Sequence, residues 1–235
     1  MKTIILKSSL IVLCVLSLMS FRTGEESTSK TISKEAQAAL QPGQALEKLK
    51  DGNRRFVENK MLKRDYPELV KSSAKGQYPH SVILSCLDSR TSSELIFDQG
   101  LGDVFNARIA GNFENTDILG SMEFACKVAG AKLIVVLGHT NCGAVKGACD
   151  NVQMGNLSNV IDQIKPSAEI VKNIPGERNS KNHEFVEAVS KQNVLQTISD
   201  IRQRSPILKA MEEKGEIMIV GGMYDLETGV VNLYN

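Results

Sequence analysis

The sequence predicts an α/β fold in which a mostly parallel central sheet of about four to five strands is flanked by helices. Apolar runs of strand length alternate with longer segments whose apolar residues recur at helical spacing, as in parallel sheets with crossover helices. Residues 132–137 are apolar almost throughout, as a central strand covered on both faces requires. A chain of 235 residues is long enough to bury the core of one such domain.

Composition excludes one broad class of function. The chain has 28 Lys and Arg against 27 Asp and Glu, which gives a formal net charge of +1. No basic stripe follows any predicted helix or strand, so a surface that tracks a phosphate backbone is not indicated. We therefore expect no nucleic-acid partner.

The N-terminal segment has the layout of a secretory signal peptide over residues 1–20. Lys2 and Lys7 precede an apolar run at 10–19, and the small Ser20 offers a cleavage position. The run is shorter than the ~20 residues of a spanning helix, so no stable membrane anchor is expected after cleavage. The protein is then exported and is periplasmic or secreted. Residues 21–40 are polar and predict a flexible spacer, and 41–235 form a single domain.

The elements of that domain follow in order. Ala45, Leu46 and Leu49 recur at helical spacing, and Gly52 with Asn53 predicts a break in this first helix. Strands are predicted at 81–85, 104–107, 132–137 and 216–220, with a short final strand at 230–231. Helices are predicted at 94–96, at 115–130 and through most of 151–214. Four main strands separated by helices predict the parallel sheet.

Two polar clusters follow the ends of predicted strands. Cys86 comes directly after the strand at 81–85, while His139 and Cys142 follow the strand at 132–137. The carboxyl ends of parallel strands share one edge of the sheet, where ligands bind in open α/β folds. Two thiolates and one imidazole are a suitable ligand set for a catalytic zinc with one open position. We expect one Zn²⁺ per chain; the alternative is a structural zinc with Asp88 or Cys149 as fourth ligand.

Asp88 and Arg90 decide between these readings. Arg90 is two residues beyond Asp88 and can hold its carboxylate in a charge-assisted pair, which leaves the fourth zinc position to water. Zinc lowers the pKa of such a water from 15.7 toward about 7, and Asp88 would orient the resulting zinc-bound hydroxide toward substrate. Two alternatives stay open: a capping turn with a surface ion pair, and a closed resting state in which Asp88 binds zinc.

Other polar residues are less informative. Cys126 and Cys149 are interpreted as buried small hydrophobes, with a disulfide as the alternative in an oxidising compartment. His80 and His183 are interpreted as structural or surface histidines. A nucleotide site is disfavoured because residues 100–102 lack the third glycine of the dinucleotide motif and 138–143 is not followed by Lys-Ser or Lys-Thr.

The two clusters together resemble the β-class carbonic anhydrases. The resemblance is carried by Cys86-x-Asp88-x-Arg90 followed by Gly138-His139-x-x-Cys142-Gly143, and it extends over most of the chain through Leu49-x-x-Gly52-Asn53-x-Arg55-Phe56 and Arg108-Ile109-Ala110-Gly111-Asn112. It implies that Cys86, His139 and Cys142 bind zinc. It also implies a lyase that converts carbon dioxide reversibly to bicarbonate and a proton, with the Asp88/Arg90 pair orienting the attacking hydroxide.

The resemblance also implies partners and substrate contacts. Family members form dimers whose subunits complete each other's active sites, so a homodimer is expected, with a tetramer or larger assembly as the alternative. Gln77, Phe105 and Gly143 match substrate-binding positions. Ile83 stands where a bicarbonate-inhibited subgroup carries Trp, so the chain resembles the plant-like, non-inhibited subgroup, although Arg108 and Tyr224 match other members of the inhibitory site. A related cumulated molecule such as carbon disulfide is the alternative substrate.

Overall fold

A five-stranded sheet forms the centre of the protein, as seen in a computed structural model that describes residues 31–234. The strands are β1 (Ser81–Ser85), β2 (Val104–Arg108), β3 (Leu133–His139), β4 (Met218–Tyr224) and β5 (Val231–Tyr234). The helices are α1 (Lys34–Ala39), α2 (Pro42–Val57), α3 (Tyr66–Ser73), α4 (Ser93–Ile96), α5 (Thr116–Glu123), α6 (Gly143–Cys149), α7 (Leu157–Ile170), α8 (His183–Arg204) and α9 (Pro206–Glu213). A π-helical turn at Phe124–Val128 continues α5.

The strand order β2-β1-β3-β4-β5 confirms the predicted fold class. The first four strands run parallel, and β5 pairs antiparallel with β4. Ser85 lies opposite Leu137 in the β1–β3 register, so both strands end at the same edge. His139 is the last residue of β3 and pairs with Tyr224 of β4.

Helices cover both faces of this sheet, as the apolar β3 predicts. Ile134 and Val136 face a core built with α5, α8 and α9, while Leu133, Val135 and Leu137 face a core built with α2 and α4. A third apolar cluster includes Cys86 and Cys142 and is formed largely by α6, α7 and α8.

The predicted break at Gly52 and Asn53 is wrong, because α2 continues through both residues to Val57. Gly52 is required by close packing rather than by a turn, since an added Cβ would lie 1.7 Å from the carbonyl oxygen of Phe97. The Asn53 side-chain amide donates to the carbonyls of Ile96 and Gly229, both at 2.9 Å. Tertiary contacts therefore explain two residues whose types usually indicate a helix end.

The expectation of a flexible spacer through residue 40 is also wrong in its last part, where α1 forms. Ser33 caps this helix by accepting from the backbone N–H of Ala36, and Gln37 is buried against the domain. The Gln37 side chain donates to the carbonyl of Pro79 at 2.7 Å and to that of Ala129 at 2.9 Å. The predicted signal peptide at 1–20 lies outside the described residues.

Smaller differences concern element bounds. The fourth strand begins at Met218 rather than at residue 216 and extends to Tyr224, and α3 was not predicted because it is short and mostly polar. Within residues 31–234, no helix combines the length and the apolar character that crossing a membrane would need.

Candidate metal centre

Three residues from two strand ends meet at one edge of the sheet. Cys86 follows β1, His139 ends β3, and Cys142 immediately precedes α6. Their Sγ and ring nitrogen atoms all lie within 4.8 Å of one another, and all three residues are buried. The convergence expected from parallel strand ends is therefore present. Two sulfur ligands and one nitrogen ligand are a set typical of zinc sites.

The imidazole of His139 is oriented to present a lone pair to this cluster. Its Nδ1 lies 2.8 Å from the carbonyl oxygen of Thr140, which can only accept, so Nδ1 carries the proton. Its Nε2 is buried and has no hydrogen-bond partner among residues 31–234. A metal-ligating histidine commonly donates its other ring N–H to a carbonyl in this way. The Thr140 turn is itself held, because its N–H donates to Tyr224 at 2.9 Å.

The two cysteine thiols interact, and the interaction favours ionisation of one of them. A hydrogen bond from Cys142, aided by the N–H of Gly111, lowers the pKa of Cys86 despite its burial. The same interaction with the Cys86 thiolate raises the pKa of Cys142. The Gly111 N–H lies 3.4 Å from the Cys86 sulfur. This contact favours the thiolate form that a metal needs, and a bound cation would displace the remaining thiol proton.

Asp88 lies beside the cluster and is held by Arg90. The carboxylate accepts from Arg90 Nε at 2.9 Å, from Nη2 at 2.7 Å and from the backbone N–H of Arg90 at 2.9 Å. These bonds to Arg90 hold the pKa of the Asp88 carboxyl well below its usual range, despite partial burial. Asp88 Oδ2 is 4.0 Å from His139 Nε2. The carboxylate therefore remains ionised and faces the cluster from the side.

Arg108 and Thr91 fix the turn that contains Cys86 and Asp88. Arg108 Nε donates to the Cys86 carbonyl at 3.0 Å, and Arg108 Nη2 donates to the Asp88 carbonyl. The Thr91 hydroxyl contacts the same two carbonyls at 3.1 and 2.9 Å. Thr91 was not identified from the sequence. A hydroxyl three residues after Asp88 was the available signal, since Thr side chains often bond to nearby backbone carbonyls.

The three predicted substrate-binding residues occupy different places. Gly143 begins α6 next to Cys142, with open space where a Cβ would be. Gln77 is exposed and precedes β1, at the opposite end of that strand from Cys86. Phe105, the second residue of β2, pairs with Val82 of β1 and packs edge-on against Phe124, so it does not lie at the strand end that carries the cluster. A single chain therefore brings Gly143 to the cluster, but not Gln77 or Phe105.

The remaining cysteines and His80 lie apart from the cluster. Cys126 is buried and Cys149 is partly exposed; both are free, and they lie in different apolar clusters. Cys149 is not in the group formed by Cys86, His139 and Cys142. His80 is buried with both ring nitrogens bonded, to Ser81 Oγ at 2.7 Å and to Gln99 Oε1 at 2.9 Å. His80 is therefore a satisfied structural histidine, as interpreted from the sequence.

Comparisons with known proteins agree on one family. The sequence profile described as carbonic anhydrase matches residues 81–231. Carbonic anhydrase 2 of Mycobacterium tuberculosis is 36% identical over 194 residues, which cover 80% of this chain and 90% of the relative. The carbonic anhydrase of Mycolicibacterium smegmatis is 35% identical over 198 residues, which cover 82% and 93%.

Solved structures show the same similarity. The β-carbonic anhydrase CcaA superposes with a TM-score of 0.63 at 25% identity, covering 81% of this chain and 87% of CcaA. The β-carbonic anhydrase CafA of Aspergillus fumigatus gives 0.61 at 27% identity, with 82% and 90% covered. A tetrameric β-carbonic anhydrase from Sordaria macrospora gives 0.61 at 25% identity, with 72% and 87% covered.

Proposed function

The chain belongs to the β-class carbonic anhydrases and is an enzyme of carbon dioxide hydration, and we propose that it works with one zinc ion bound by Cys86, His139 and Cys142. The observation that carries this proposal is the buried Nε2 of His139, which lies beside two cysteine sulfurs and has no hydrogen-bond partner in the described part of the chain. A buried polar atom without a partner is costly, and a metal would satisfy it.

The residues present suit zinc in charge as well as in type. Two thiolates and a neutral imidazole leave one position free in a tetrahedral site, which is the arrangement of catalytic rather than structural zinc. Asp88 is held by Arg90 and is not needed as a fourth ligand. When bound, zinc would lower the pKa of a water molecule toward about 7 and so supply hydroxide near neutral pH.

Asp88 has the task of orienting the attacking oxygen. An ionised carboxylate can only accept, so Asp88 would accept the hydrogen of the attacking group and turn its lone pair toward the carbon of carbon dioxide. Arg90 occupies both carboxylate oxygens from the solvent side and keeps the group ionised. The products are bicarbonate and one proton released from water.

The proposal is tested by measuring zinc and activity in the same sample. The purified protein should hold about one zinc per chain, as expected for one three-ligand site, and should hydrate carbon dioxide in stopped-flow assays. Cys142→Ser should lose metal and activity together, because it removes a ligand. Cys149→Ser is the matched control and should keep both. A protein that is loaded with zinc but inactive at every pH would support a structural metal instead.

A homodimer is the assembly that we propose. Strand β2 forms an outer edge of the sheet, and beside it Phe124 and Val128 are 50% and 72% exposed. An open strand edge flanked by apolar side chains favours pairing with another chain. Gln77 and Phe105 do not reach the cluster of their own chain, which supports their acting on a partner's site. Sedimentation of the active enzyme should give a dimer or a multiple of it; an active monomer would contradict the proposal.

Two further features complete the proposed function. We propose export through residues 1–20, and the mature protein from the extracytoplasmic fraction should begin at Phe21 when its N-terminus is determined by mass spectrometry.

We also propose that bicarbonate does not inhibit by the route of the Trp-containing subgroup, since Ile83 is fully buried within β1. Strong inhibition by bicarbonate in the hydration assay would contradict that assignment.

A further inference from the structure

We infer that helix α8 braces the metal centre and that Glu187 is a positioning residue for the loop between His139 and Cys142. This inference rests on the proposed zinc site. It concerns a residue outside the group formed by Cys86, His139 and Cys142, which lies 46 residues beyond Asn141 of that loop.

The loop between the two ligands has an unusual backbone. Asn141 adopts a φ of 56°, in the left-handed region that few residues other than glycine occupy. This conformation turns the chain back after His139, so that the Cys142 sulfur returns to the same cluster. A sparsely populated conformation of this kind persists where surrounding contacts determine it.

Glu187 supplies one of those contacts. Its Oε1 accepts the backbone N–H of Asn141 at 2.8 Å. The second contact comes from Lys146 on α6, whose Nζ donates to the Asn141 side-chain oxygen at 3.1 Å. The Lys146 contact ties the loop only to the helix that directly follows it. The Glu187 contact ties the loop to the main body of the domain, because α8 packs against β3 and β4.

The same helix reaches the other side of the cluster. Asn193 is buried on α8 and donates to the carbonyl of Gly111 at 2.7 Å, and the Gly111 N–H in turn lies 3.4 Å from the Cys86 sulfur. Val194 of α8 packs against Gly138, the residue directly before His139: a Cβ added to Gly138 would lie 2.8 Å from the Val194 side chain. One rigid element therefore fixes the backbone around all three proposed ligands. Partners of this kind orient metal ligands and affect metal affinity.

The test compares Glu187→Ala with Glu187→Gln in the full chain. Gln keeps a side-chain oxygen that can accept the Asn141 N–H, whereas Ala removes it. Zinc affinity is measured by competition with a chromophoric chelator, and the visible spectrum of the cobalt-substituted protein reports ligand geometry. We expect Glu187→Ala to weaken zinc binding about 10- to 100-fold and to shift the cobalt spectrum, with Gln close to the parent. Glu184→Ala, an exposed change one turn earlier on α8, is the control and should alter neither.

The outcomes separate this inference from the proposed function. If the parent protein binds no zinc, the proposed zinc site fails and the brace fails with it. If the parent binds zinc and Glu187→Ala binds it equally well, the brace alone is wrong. If Gln loses as much affinity as Ala, the charge of Glu187 rather than its hydrogen bond is responsible, and the positioning role is overturned. A lower unfolding temperature of the metal-free Ala variant with unchanged zinc affinity would show a merely structural role and would also overturn it.

Discussion

Replacing Asp88 with Asn separates the orientation of the attacking group from the binding of metal. The carboxylate accepts three hydrogen bonds from Arg90, and its Oδ2 faces His139. In Asp88→Asn one oxygen becomes an NH₂ group, which would oppose an N–H of Arg90 or face the attacking oxygen as a donor. In either orientation the side chain loses a carboxylate oxygen that accepts a hydrogen bond, from Arg90 in one case and from the attacking group in the other.

The size of the effect follows from this one lost interaction. A hydrogen bond to a charged group contributes about 1.5–3 kcal/mol. Each tenfold change in rate corresponds to about 1.4 kcal/mol, so kcat/KM should fall roughly 10- to 150-fold. Zinc content should remain near that of the parent, because Asp88 is not one of the three proposed ligands. Stability should change little, since Arg90 is largely exposed and exposed ion pairs contribute little.

The assay is stopped-flow hydration of carbon dioxide with zinc quantified in the same sample. Arg90→Lys provides a graded comparison, because lysine keeps the charge but cannot form the two parallel side-chain bonds. It should lose less rate than Asp88→Asn. If Asp88→Asn retained both its zinc and the rate of the parent, the role assigned to the carboxylate would be refuted.

Two predictions concern the scaffold. Gly52→Ala should lower the free energy of unfolding by about 3 kcal/mol, because the added Cβ would overlap the Phe97 carbonyl. Gly43→Ala on the same helix is the control and should not destabilise, because no atom lies within 4 Å of its Cβ position. Equal urea midpoints for the two variants would contradict this prediction. Burial lowers the pKa of His80, so the folded state resists protonation and stability should fall below about pH 6.5. His80→Gln, unlike the exposed His183→Gln, should flatten that slope by up to about 1.4 kcal/mol per pH unit.

The sequence predicted most of what depends on local pattern. The apolar run of β3 identified the central strand, and its parallel pairing with β1 brought Cys86 and His139 to one edge. Periodicity could not reveal that Gly52 and Asn53 serve packing and long-range hydrogen bonds inside α2. Glycine and asparagine indicate helix ends only when no neighbouring element requires them.

The supporting residues of the metal centre escaped sequence analysis for a different reason. Glu187 and Asn193 lie in a helix whose pattern is that of any packed helix, and their partners are far away in the chain. Contacts of this kind become visible only once α8 is placed against the sheet. Gln77 and Phe105 show a different limit, because both match family positions by sequence and neither lies at the cluster of its own chain.

The buried side chain of Gln37 determines where the folded unit can be trimmed. A recombinant chain that begins at residue 41 would lack this amide, and the carbonyls of Pro79 and Ala129 would lose their donor at the approaches to β1 and β3. Cleavage directly after Ser33 would leave Gln37 in place but would remove the side-chain cap of α1, the helix that holds it. Removal of residues 1–20 alone, as proposed for export, would leave both the cap and Gln37 on the mature enzyme.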